Sequence, residues 1–261
     1  METQGSSCLT LDMLPETFYD DDIAVFSPKQ YQVFQRRSRN GGVIFFSGAV
    51  NVPCDRLSFR IDGISLDGRG FSKGFRPLKL NRDAGIFGEY VPVPAGGRYR
   101  IELRAEKGKK TVAEKVIENV GVGEVFICAG VSGPSGPYLM NGSPAMASLT
   151  DGVRWKPCGG TNSALPRLAD LLYAEFGVPA AFASAGDGST AAQDVALQLG
   201  KGGFRAALLQ EGENGAAVRI FSFETGGFFP RFHGDAGSPK PLAEQWAEKL
   251  IPYIRACIGG D

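Results

Sequence analysis

The sequence has few of the residues and motifs that metal-binding and nucleic-acid-binding proteins usually show. It contains one histidine, and its five cysteines form neither a CxxC motif nor a short cluster with that histidine. Neither a zinc site nor a disulfide framework is indicated, and we expect no metal and no cofactor. Lys plus Arg and Asp plus Glu both number 28, without a long basic run. This balance argues against nucleic acid or an anionic membrane as a partner and fits a neutral partner such as a glycan.

Long apolar runs are also missing, including at the N-terminus. Residues 1–22 are rich in acidic side chains and have no stretch long enough for a secretory signal or a membrane span. We therefore expect a cytoplasmic protein with reduced thiols. The alternative is a component of a virion or surface assembly, which would reach its location without a secretory signal of its own.

The first half of the chain predicts short strands separated by turns. The 36 glycines and 16 prolines fall singly between apolar runs instead of forming a low-complexity tract. Residues 98–105 alternate between apolar and charged side chains, which is typical of a strand with one buried face. We predict an N-terminal extension over residues 1–25 and an all-β sandwich domain over residues 26–122. The predicted strands are 31–37, 42–48, 56–63, 87–94 and 98–105.

After Gly121-Val-Gly123 the pattern changes to apolar runs that alternate with helical periodicity. Such an order predicts a parallel α/β sheet with right-handed crossovers over residues 123–261. The continuous apolar run 125–129 predicts a strand covered on both faces, which would bury Cys128. The other predicted strands are 180–185 and 204–209, and the predicted helices are 165–176, 190–199 and one that begins at Pro241.

Small polar clusters follow each of these three strands. Ser132 comes after the first strand, residues 186–190 follow the second, and residues 210–215 follow the third. Ligands of such sheets bind at the carboxyl ends of the strands, so the three clusters are expected to meet there. A serine at a sharp strand exit can expose its hydroxyl, while glycine amides and an asparagine such as Asn214 can stabilise an oxyanion.

Several of these blocks resemble a known family. Residues 122–132 (VGEVFICAGVS) are similar to its VGEVW.CSGQSN block, residues 151–157 (DGVRWKP) to DGVRWRP, and residues 204–213 (FRAALLQEGE) to FRAVLWHQGE. The sequence thus resembles the sialate O-acetylesterase-like branch of the SGNH hydrolases, which are carbohydrate esterases. The resemblance covers most of the chain and implies a flavodoxin-like parallel sheet, shortened here, behind a β-sandwich.

The resemblance also implies roles for individual residues. Ser132 falls on the family's nucleophile, Gly188 on its oxyanion-hole glycine, and Asn214 in its third block. His233 falls on the catalytic base, and no other imidazole is present in the chain. Pro230 stands where the family has the triad aspartate.

The chain departs from the family at the residues that carry the chemistry. Val131 and Gly133 replace the Gln and Asn beside the serine. Pro230 cannot accept the histidine proton, although Asp187 or Asp235 is an alternative acid. Only 18 positions separate Gly215 from His233, where the family has a much longer segment.

Each of these residues also has a structural interpretation. Ser132 could cap the following segment, His233 could be a packed or surface residue, and Asp187 could be a turn residue between glycines. Glu211 and Glu213 lie too close together in sequence for a glycosidase acid pair on opposing walls of a cleft. Arg36, Arg37 and Arg39 are interpreted as the solvated end of a strand.

Two functions follow as hypotheses. The first is a catalytically impaired relative of carbohydrate O-acetylesterases that binds a glycan or serves as a structural part of an assembly. The alternative is an active serine carbohydrate O-acetylesterase that uses Ser132 and His233. The shortened sheet also predicts an uncovered edge, so we expect self-association or a protein partner there.

Overall fold

The computed structural model describes residues 20–65, 68–129, 147–150, 154–158, 164–185, 195, 203–211, 215–222, 227–233 and 240–259. The strands of the first half are β1 (Ile23–Ser27), β2 (Val33–Gln35), β3 (Gly41–Val50), β4 (Arg56–Ser65), β5 (Gly70–Leu78), β6 (Leu80–Asn81), β7 (Ile86–Pro94), β8 (Gly96–Lys107) and β9 (Lys110–Ala129). The later elements are β10 (Ala147–Thr150), β11 (Trp155–Pro157), α1 (Ala164–Phe176), β12 (Ala180–Ser184), β13 (Ala206–Glu211), β14 (Gly215–Ser222), β15 (Gly227–His233) and α2 (Leu242–Ile258).

The first half builds its core between two groups of antiparallel strands. One is a four-stranded sheet in the order β1-β3-β7-β6, and the other contains β5, β4, β8 and the first part of β9. Tyr99, Ile101 and Leu103 of β8 are fully buried and share a core with residues of β3 and β7. The alternation predicted for residues 98–105 is therefore confirmed, except that Glu102 is also buried.

Strand β9 is 20 residues long and belongs to both halves of the chain. Its first part pairs with β8 in antiparallel fashion up to Val122. From Glu124 onward it pairs in parallel with β12 on one side, and from Phe126 with β13 on the other. The predicted domain boundary between residues 122 and 123 thus falls inside a continuous strand, and the division of the chain into domains stays a prediction.

The second half extends this sheet in the order β11-β10-β12-β9-β13-β14-β15. Strands β10, β12, β9 and β13 are parallel to one another, whereas β11, β14 and β15 join through antiparallel pairs. Helices α1 and α2 contact each other and pack on one face, where Trp246 and Leu168 meet Phe126 and Phe182. The opposite face buries Ile127 and Ala207 against Phe204.

The expected fold, an SGNH-hydrolase-like α/β domain with a shortened flavodoxin-like parallel sheet behind an all-β sandwich, is wrong. The described residues are mostly in strands, the large sheet is mixed, and helices α1 and α2 lie on the same face. The physical reason is connection length. Three residues join β13 to β14 and four join β14 to β15, and such short connections only allow antiparallel neighbours.

Five of the nine described elements from β9 to α2 lie where the sequence pattern predicts them, whereas β10, β11, β14 and β15 lie where it predicts no strand. The predicted strands and helices at 125–129, 165–176, 180–185, 204–209 and from Pro241 correspond to β9, α1, β12, β13 and α2. Cys128 is buried as expected. The predicted helix 190–199 lies outside the described residues except for Val195.

Candidate functional site

The carboxyl ends of β9, β12 and β13 lie side by side. These strands are parallel and paired in register, with Ser184 opposite Cys128 and Leu209 opposite Ala129. The segments that start at residues 130, 186 and 212 therefore leave the sheet from one edge, which we call the carboxyl edge. Ser132, Gly188 and Asn214 belong to these segments. All three lie outside the described residues, as do Asp187 and Asp235.

His233 is the last residue of β15 and reaches the same edge. Two successive antiparallel pairs, β13 with β14 and β14 with β15, make β15 run parallel to β9. Leu209 pairs with Ala217, and Ala217 pairs with His233, so Ala129, Leu209, Ala217 and His233 form one row across the sheet. The backbones of Ala129 and His233 are three strand spacings apart, or about 14 Å.

This distance can be compared with the reach of the chain after β9. Ser132 lies three residues beyond Ala129, and three extended residues span at most about 10 Å. A serine hydroxyl and an imidazole add the reach of their own side chains. The chain length therefore permits a contact between Ser132 and His233. Pro230 lies in the same strand as His233, with its backbone opposite Arg219.

Cys128 is a buried thiol one residue before the carboxyl end of β9. Burial, together with the neighbouring Cys158, raises the pKa of its thiol well above the ordinary value. Burial likewise raises the pKa of Cys158 to about 12. Both thiols stay protonated near neutral pH, and a protonated thiol is a poor nucleophile. Cysteine chemistry at this edge is therefore disfavoured.

Ser184 is an exposed residue at the carboxyl edge that the sequence did not single out. It ends β12, four of whose five residues are buried, and lies opposite Cys128. The signal that predicts its exposure is its position, because it is the polar residue that ends a buried apolar strand. Its exposed side chain marks the surface of the carboxyl edge within the described residues.

A buried ionic cluster lies at the other end of the same strands. The carboxylate of Glu124 is fully buried and accepts hydrogen bonds from Nε of Arg36 at 2.6 Å and from Nε of Arg205 at 2.8 Å. Gln35 donates to the same carboxylate through Nε2 at 3.0 Å. Burial lowers the pKa of the Arg205 guanidinium, but the charge of Glu124, the hydrogen bond to it and the nearby Cys257 and Tyr253 together outweigh burial, so the pKa is raised.

The interpretation of Arg36 as the solvated end of a strand is wrong. Arg36 is 1% exposed, whereas Arg37 and Arg39 are exposed as expected. The sequence carried no signal for this difference, because the partner carboxylate is 88 positions away along the chain.

The described residues contain no group of three or more His, Cys, Asp and Glu side chains arranged to hold a metal ion. Their helices also include none that is both long and apolar enough to cross a membrane.

No protein-family model matches the chain, and the curated proteins contain no significant match. Among solved structures, the chain is similar to a carbohydrate acetylesterase from Xanthomonas citri, with 17% sequence identity and a TM-score of 0.36. The similarity covers 62% of this chain and 39% of that chain. Similarity at this level supports no conclusion about activity.

Proposed function

We propose that this protein binds a carbohydrate at the carboxyl edge and has lost most of the esterase activity of the family that its sequence resembles. The observation that carries the proposal is the meeting of four strand ends, those of β9, β12, β13 and β15, at one edge. Ligands of sheets with parallel strands bind at such edges. Three of the four ends lead into the polar segments that contain Ser132, Gly188 and Asn214.

The expected loss of activity follows from the residues beside the predicted catalytic groups. Pro230 occupies the position of the triad acid and has no carboxylate. In a serine protease, replacement of that acid lowers turnover by about 10⁴-fold because the histidine is no longer held in the correct tautomer. Val131 and Gly133 also replace the polar residues that flank the serine in the family. A binding site can survive these changes, whereas efficient turnover cannot.

The second candidate is an active serine carbohydrate O-acetylesterase. The row that joins Ala129 to His233 favours it, since it brings the chain's single histidine to the edge where the Ser132 segment begins. In this mechanism His233 removes the proton from Ser132, and the amides of Gly188 and of a residue near Ser132 bind the oxyanion together with Asn214. Asp187 or Asp235 would then orient the imidazole.

Hydrolysis of an aryl acetate separates the two candidates. The rate is measured for the wild type, Ser132→Ala and His233→Ala, with Ser72→Ala as a control because Ser72 is an exposed serine on β5. We expect equal and low rates for all four proteins. A rate that falls strongly in Ser132→Ala and His233→Ala, but not in Ser72→Ala, would establish the active esterase instead.

Binding to a glycan array tests the carbohydrate site itself. A tryptophan at position 184 adds bulk at the exposed end of β12 and should obstruct the carboxyl edge, while Ser72→Trp places the same bulk on the exposed strand β5 of the first half. We expect Ser184→Trp to lose glycan binding and Ser72→Trp to keep it. If the wild type binds no glycan, or if both variants bind equally well, the proposal is wrong. The cytoplasmic location and a partner at the edge of the sheet stay predictions.

A further inference from the structure

A second cleft lies at the opposite end of the parallel strands from the carboxyl edge. It has a volume of about 460 Å³ and is formed where Arg36 and Arg39 meet the C-terminal ends of α1 and α2. Phe176 and Ile258 supply its apolar wall. Pockets of this volume are typical of small-molecule sites. Because α1 ends just before β12 begins, this cleft is separate from the site proposed for carbohydrate.

The described residues around the cleft carry excess positive charge. Two guanidiniums, those of Arg36 and Arg205, share the single carboxylate of Glu124. Arg255 pairs with Glu175, and Arg39 has no acidic partner among the described residues. The C-terminal ends of α1 and α2 contribute about half a negative charge each. These partial charges reduce the excess but leave about one positive charge among the described residues around the cleft.

Arg36 also has an unused hydrogen-bond donor. Its Nη2 atom has less than 1 Å² of exposed surface and no hydrogen-bond partner within the described part of the chain. The guanidinium is held by Glu124 on one edge and lies over the ring of Phe176, with 5.1 Å between Cζ and the ring centroid. A buried charged donor without a partner is unfavourable, so an acceptor that enters the cleft would relieve this cost.

We propose that this cleft binds a small anionic ligand through its carboxylate or phosphate oxygens. Arg36, Arg39 and Arg255 bind the oxygens, since the forked guanidinium matches both groups. The ring or alkyl part of the ligand packs on Phe176 and Ile258. Contact with Nη2 of Arg36 requires a small side-chain movement at the floor of the cleft, because that atom is almost fully covered.

Calorimetric titration at constant ionic strength tests the proposal. The probes are inorganic phosphate, benzoate and phenyl phosphate, with sodium chloride as the reference salt. We expect phenyl phosphate to bind more tightly than inorganic phosphate, because only phenyl phosphate also covers the apolar wall. The comparison of benzoate with phenyl phosphate shows whether a carboxylate or a phosphate is preferred.

Three exposed arginines provide the variants and the control. Arg39→Gln and Arg255→Gln each remove a cation from the cleft and should weaken binding about tenfold or more, the usual effect of one charge-assisted hydrogen bond. Arg167→Gln is the matched control, since the Arg167–Glu244 pair joins α1 to α2 away from the cleft. Arg167 is 60% exposed and Arg255 is 61% exposed. Circular dichroism confirms that each variant is folded.

Two results would overturn the proposal. One is the absence of binding by all three probes at millimolar concentration. The other is an affinity that is unchanged in Arg39→Gln and Arg255→Gln, or that falls equally in Arg167→Gln. Glycan binding by Arg39→Gln is measured in parallel and should be unchanged, so failure of one site is distinguishable from failure of the other.

Discussion

At the scale of single residues, Glu124 accepts hydrogen bonds from side chains of three distant positions while it is fully buried. Glu124→Gln would remove the only carboxylate of this cluster and leave Arg36 and Arg205 facing each other. Loss of one partner of a buried ion pair typically costs about 3–5 kcal/mol. We expect a decrease of that size in the free energy of unfolding, measured by urea denaturation.

The control for this substitution is Glu114→Gln. Glu114 pairs with Arg104 at the surface, where the two side chains are 50% and 34% exposed. Such pairs contribute less than about 1 kcal/mol, so this variant should be almost as stable as the wild type. Equal stability losses in the two variants would mean that the buried cluster contributes no more to the free energy of unfolding than a surface ion pair does.

These residues also show where sequence-based prediction of a site ends. The carboxyl edge could be predicted, because polar residues that directly follow apolar strands are a local signal. The Glu124 cluster and the second cleft could not. Both depend on side chains that are far apart in the chain and adjacent only in the fold, such as Arg36 and Arg255. An arginine that ends up buried has the same local pattern as one that remains at the surface.

At the scale of elements, β9 passes very close to the start of β12. A Cβ atom added at Gly123 would lie 2.0 Å from the carbonyl oxygen of Pro179. This oxygen is a backbone atom, so it cannot move aside by rotation of a side chain. Gly123→Ala must therefore push the two strands apart, and we expect a loss of stability of at least about 1–3 kcal/mol. Thermal unfolding followed by circular dichroism measures it.

Gly88→Ala is the matched substitution in β7. A Cβ atom at that position meets nothing within 4 Å, so the methyl group costs no packing energy. The variant should be as stable as the wild type or slightly more stable, because alanine restricts the unfolded chain. A Gly123→Ala protein as stable as Gly88→Ala would show that the approach of β9 to Pro179 is not tight.

The elements were predicted better than their pairing. Helix α2 follows from the apolar spacing of Trp246, Leu250 and Ile254, all of which are fully buried. Strand direction, in contrast, is decided by the length of the connections, and the sequence pattern does not predict β14 and β15 as strands. Without them, the short connections after β13 gave no evidence of a hairpin. The result was an expectation of a parallel sheet where the structure has a mixed one.

At the scale of the whole molecule, the shared strand β9 couples the two cores. Independent domains would unfold in separate transitions, whereas a sheet common to both halves favours a single cooperative transition. The chain's two tryptophans, Trp155 and Trp246, both lie in the second half. We expect the loss of Trp fluorescence in urea to coincide with the loss of hydrogen-exchange protection in peptides from β3 and β7. Two separate midpoints would contradict this prediction.

Strand β9 also limits which related genes, here called parents, can exchange their first and second halves by recombination. A crossover at the codons for residues 121–123 would join a first half from one parent to a second half from another. Glu124 would then come from one parent, while Gln35 and Arg36 would come from the other. Functional hybrids are therefore expected only between parents that both encode this trio, so a change at any one of the three positions restricts later exchange of the halves.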